Sequence, residues 1–116
     1  MNQFIYNEHG ACMNPILKTF KCGKGYEAQV EVAIMKNNLW DRGVRFNGFE
    51  EGWSHTINQY RKESALYKSK DEAFKAGVEL LLYQLQSRNN LERYKRIIAI
   101  LKEELTPIVE NQLSLF

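Results

Sequence analysis

The stretch Ala28–Lys36, "AQVEVAIMK", decides how this chain folds. Val30, Val32 and Ile34 fall on one side of a period-two pattern, and Gln29, Glu31 and Ala33 on the other. Successive side chains of a strand point to opposite faces, so the alternation is that of a half-buried β-strand. Asn37-Asn38 follows, and asparagine tolerates the left-handed backbone of a tight turn. "LWDRGVRF" then alternates again, with Trp40, Arg42, Val44 and Phe46 offset from Leu39, Asp41 and Arg45. A turn through Asn47-Gly48 and Gly52 leads into "WSHTINQYR", Trp53 to Arg61, a third strand. Connections this short favour an antiparallel meander.

Upstream, residues 1–28 read as an irregular segment, with turns at Gly10, Pro15, Gly23 and Gly25 around the apolar Ile16, Leu17 and Phe20. Downstream the period changes to 3.6. Ser69 followed by Glu72 matches a capping box, in which the hydroxyl accepts from an orphan N–H while the carboxylate reaches back. Ala73, Ala76, Gly77, Leu80, Leu81 and Leu85 then line one helical face, small enough at its start to approach a sheet closely. A second helix carries Leu91, Tyr94, Ile98, Leu101 and Leu105, widened by Ile97 and Ile100. That stripe lasts about two heptads, short of a persuasive coiled coil. It can pack on the first helix or the sheet, or serve a homodimer. Thr106-Pro107 ends the helix, because the residue before proline avoids the helical region. The expectation is an α+β fold: a three-stranded antiparallel meander, two helices and an extended C-terminal tail. One domain spans residues 1–105, and 106–116 form a flexible tail.

Composition narrows the function. The 116 residues are 44% apolar and 12% aromatic, enough for a core, and the formal charge is only +2. That balance lacks the strong basic excess of most nucleic-acid binders, although segregated charges could still serve one. No run reaches the roughly 18 apolar residues of a membrane span, and the N-terminus lacks the pattern of a secretory signal. With Cys12 and Cys22 as the two cysteines, a cytoplasmic protein with reduced thiols is expected.

Catalytic constellations are missing. Ser54 and His55 are strand neighbours on opposite faces, and Gly23-Lys24-Gly25 lacks the length of a phosphate-binding loop. The chain is expected not to be an enzyme and to need no cofactor. His9, Cys12, Cys22 and His55 are weak metal candidates, because they offer one close-spaced ligand pair where structural zinc sites have two. Trp40, Arg42, Arg45, Trp53, Arg61 and Lys62 interleave cations with aromatics, the pattern that grips phosphates and stacks on unpaired bases of DNA or RNA.

The last five residues carry the most specific signal. "QLSLF", Gln112-Leu113-Ser114-Leu115-Phe116, stands beyond the proline and exposes three large apolar side chains unless they fold back on the body or enter a partner. It closely resembles the short peptide by which bacterial replication and repair proteins bind the DNA polymerase sliding clamp, the polymerase III beta subunit. The resemblance covers those five residues and implies a role for each. Gln112 orients the peptide through its amide, Leu113 adds packing, Ser114 tolerates solvent, and Leu115 with Phe116 fill an apolar pocket. It therefore implies a small accessory or adaptor protein that docks on the clamp, with a size suited to a phage or mobile element. A nucleic-acid-binding module and a homo-oligomeric interaction protein are the alternatives.

Overall fold

The computed structural model describes residues 4–22, 25–35, 38–48, 52–58, 60–62, 65–87 and 91–113, with backbone alone at 91 and 106–113. Four strands, β1 (Ile16–Lys21), β2 (Glu27–Ile34), β3 (Trp40–Asn47) and β4 (Gly52–His55), precede two helices, α1 (Lys70–Gln86) and α2 (Leu91–Leu113). The sheet order is β1-β2-β3-β4, antiparallel throughout. The α+β class and the meander agree with the sequence reading, with one strand more than it expects.

The extra strand is β1. Only Phe20 of its residues is buried, so it has no apolar alternation to betray it, and backbone pairing with β2 holds it. The turns bounding β2 behave as their residues require: Asn38 has φ +60° and Gly25 φ +89°. Register places Ala28, Val30, Val44 and Phe46 on one face, where α1 and α2 cover them with Val78, Leu81, Leu85, Ile97 and Leu101. Gly77 lets α1 approach closely, since a Cβ there would stand 2.5 Å from Cγ1 of Val30. Ser69 caps α1 by accepting from the Glu72 N–H at 3.1 Å. Glu72 reaches back to the Lys68 N–H at 3.3 Å, one residue before the cap.

The opposite face is half covered. Phe4, Tyr6, Cys12 and Leu66 pack around Ala33, Met35 and Ile57, so β2 is buried on both sides at this end and its Glu31 is buried too. The residues read as an irregular N-terminal segment thus contribute both a strand and part of a second core. The third predicted strand stops at His55 for a related reason. A Cβ at Gly43 would lie 2.8 Å from the His55 carbonyl oxygen and 3.1 Å from the Ile57 nitrogen. The chain leaving β4 folds over β3 through that gap and inserts Ile57 into the second core. Asp41, fully buried, holds the crossover: its carboxylate accepts from the Asn58 N–H (3.2 Å), Arg61 Nε (2.9 Å) and its neighbour's N–H at Arg42 (2.8 Å).

Helix α2 continues through Thr106-Pro107 to Leu113, contrary to the expected stop and extended tail. A proline inside a helix removes one N–H bond and crowds one carbonyl, at a cost of about 3 kcal/mol. It does not forbid the next turn, and no glycine follows it to favour a left-handed exit. Among the described residues no helix is long and apolar enough to cross a membrane.

Candidate functional site

Gln112 and Leu113 form the end of α2, and Ser114, Leu115 and Phe116 lie outside the described residues. The course of α2 explains where that end goes. Tyr94, early in the helix, packs edge-on against Phe46 of β3 (5.4 Å between ring centroids) and against Tyr26 (6.0 Å). Ten residues later Glu104 pairs with Lys18 of β1, and Leu105 still packs on the core. Between them α2 packs alongside α1, which covers β2 and β3, and its own main strand neighbour is β1. From Thr106 to Leu113 it advances about 12 Å further, at about 1.5 Å per residue. A helix terminus leaves its last carbonyls unpaired, and the final turn opens at little cost.

The basic and aromatic residues do not converge. Trp40, Arg42, Phe46 and Trp53 lie on the helix-covered face by register, whereas Arg45 stands exposed on the other. Phe46 is fully buried, Trp53 packs against it at 5.5 Å, and Trp40 meets the Phe4 ring edge-on at 6.0 Å. Arg61 is bound to Asp41 and to the Thr56 carbonyl oxygen, and Lys62 is exposed beyond it. The uncovered face carries Thr19, Gln29, Arg45 and Ser54 in one row and Lys21, Glu27 and Asn47 in the next. Its charges are mixed, and those two rows contain no aromatic ring on which a base could stack.

The weak metal candidates separate as well. His9 is exposed beside Glu8, and Cys22 is buried in the main core under the helices. Cys12 lies in the opposite layer, and His55 is exposed on β4 against Trp53. Among the described residues no group of three or more His, Cys, Asp and Glu side chains could hold an ion. Ser54 and His55 point to opposite faces, as expected, since their partners Arg45 and Val44 do.

No family model, no curated protein and no solved structure matches this chain.

Sequence reasoning misses one polar cluster. Tyr6, Cys12, Glu31, Asp41 and Arg61 gather beneath the N-terminal layer. Tyr6 donates to the Ile34 carbonyl oxygen at 2.7 Å, and burial, helped by nearby Cys12 and Asp41, pushes its phenol up to about 12. Burial also raises the Cys12 thiol and the Glu31 carboxyl, the latter partly offset by the Arg45 guanidinium. A thiol and a phenol held protonated are poor nucleophiles. Together with the Asp41–Arg61 pair they are suited to pinning the N-terminal layer and the crossover onto the sheet. The signal in the sequence is faint: two acids, Glu31 and Asp41, at positions where a second apolar layer leaves them little water.

Proposed function

We propose that this protein is an accessory or adaptor protein that docks on the bacterial DNA sliding clamp through Gln112–Phe116. The observation that carries the reading is the complete clamp-type peptide "QLSLF", which starts in the last turn of α2, beyond Leu105 and its contact with the core. A partner pocket needs such a peptide clear of its own core. The helical stem from Thr106 to Leu113 adds about 12 Å of length beyond Leu105, and the last turn unwinds to let side chains enter separate pockets. By the resemblance, Leu115 and Phe116 are the anchors, and anchors of this kind supply most of the energy of a small interface. A clamp that encircles DNA concentrates whatever is tethered to it, so the globular body needs only weak contacts of its own to act there.

The other uses of the chain find less support. The nucleic-acid residues are divided between two faces and largely engaged in packing or ion pairing. The α2 stripe offered for a homodimer is occupied within the molecule, since Tyr94, Ile97, Ile98 and Leu101 are all buried. Titration of a purified bacterial clamp with the intact protein and with Leu115→Ala and Phe116→Ala tests the docking. Each variant should lose about 2 kcal/mol of binding, roughly thirtyfold in Kd. Unchanged affinity in both would remove the peptide from the interface.

A further inference from the structure

The β1 edge of the sheet specifies a partner. Among the described residues β1 has a neighbour on one side only, and its Ile16 and Leu17 are 46% and 53% exposed, one on each face. The Cys22 N–H donates to the Tyr26 carbonyl oxygen, which fixes the ladder's parity. Even-numbered residues of β1 bond to β2, so Leu17, Thr19 and Lys21 direct their N–H and C=O groups outward. An edge of this kind accepts another strand. Among the described residues no strand pairs with these outward groups.

From this edge we infer that two copies of the chain pair antiparallel through β1, joining their sheets into one with all four helices on the same side. Outward groups can pair only odd residue with odd residue, which also keeps the helices on one face. Two registers then give the longest overlap. In the first, Lys18 lies opposite its own copy, a destabilising like-charge pair, and only Leu17 and Thr19 occupy bonding positions. In the second, Thr19 lies opposite Thr19, Leu17 opposite Lys21, and all three outward residues bond. Charge selects the second again. Each Lys21 already faces Glu27 across β1 and β2, and the second register sets it beside the other copy's Leu17, whose neighbour on β2 is Glu31. The lysine stem can lie over that leucine and bring its ammonium toward the buried Glu31 carboxyl. On the helix side, exposed Ile16 comes to lie opposite the apolar Cys22 of the other copy.

Sedimentation equilibrium of the full chain, from micromolar to near-millimolar concentration, should show the mass rising from 13.6 kDa toward twice that value. Thr19→Pro removes an outward N–H without touching the β1–β2 ladder and should hold the protein at the monomer mass with its circular dichroism unchanged. Should that variant not fold, Thr19→Cys serves instead. Opposed bonding positions stand about 5.5 Å apart at Cα, within disulfide reach, so mild oxidation should bridge position 19 to itself. Leu17→Cys, opposite Lys21, should not bridge to itself. A monomer mass at every concentration overturns the pairing, and efficient bridging at position 17 but not 19 overturns the register.

Discussion

Gly77→Ala sets two effects of known size against each other. Glycine in a helix interior costs about 1 kcal/mol relative to alanine, so propensity alone predicts a more stable protein. Packing opposes it. The new Cβ would meet Cγ1 of Val30 at 2.5 Å, where ordinary contacts begin near 3.4 Å, so one partner must move by about an ångström. Val30 cannot yield easily: it is 1% exposed, β-branched, and paired with Lys18 on one side and Val44 on the other. Overpacking of this kind costs about 1–3 kcal/mol, and the rigid setting argues for the upper part of that range. The net expectation is a loss of about 1.5 kcal/mol, or about 6 °C in Tm for a domain of this length. Urea unfolding measures it. The second arm is Val30→Ala, which alone should cost about 2 kcal/mol through the cavity it leaves. In that background the alanine at position 77 gains room, and the same glycine replacement should become stabilising by about 1 kcal/mol. A stabilising Gly77→Ala in the unaltered protein would refute the close approach of α1 to β2.

Two further perturbations address the second layer. Asp41→Asn should cost about 2–4 kcal/mol, because it strips the buried charge from the Arg61 pair and weakens the tie to the Asn58 N–H. Faster hydrogen exchange at Asn58, with the α1 amides still protected, would locate the damage at the crossover. Glu31 has a carboxyl raised above its ordinary 4.5, chiefly by burial, so between those two values the folded state binds more proton than the unfolded one. Its contribution to stability is therefore present below pH 4.5 and lost as pH rises through the folded value. Glu31→Gln should flatten that part of the pH–stability curve and raise stability at pH 7. An unaltered curve would mean that Glu31 is well solvated.

The parts of the fold legible in the sequence are those where local pattern and tertiary burial agree. Val30, Val44 and Phe46 alternate and are buried as alternation requires, and Ser69 begins α1 through the predicted cap. β1 was hidden because an edge strand needs no apolar face: Lys18, Thr19 and Lys21 are exposed, and its register comes from β2. The end of β4 was hidden because it depends on Gly43, whose missing side chain matters only when another segment crosses it. Asp41 and Arg61, twenty residues apart, meet only through that crossover. At Pro107 a local rule of real magnitude was outweighed, and α2 runs on. The candidate docking peptide was legible for the opposite reason. A short linear motif carries its recognition in consecutive residues and depends on the fold only for its presentation.

The most direct measurement compares binding of purified bacterial sliding clamp to the intact protein and to one ending at Asn111, by calorimetry. Docking through the C-terminal peptide predicts a dissociation constant of roughly micromolar order, about −8 kcal/mol, for the intact chain and none detectable for the shortened one. Equal binding by both, or binding by neither, contradicts it.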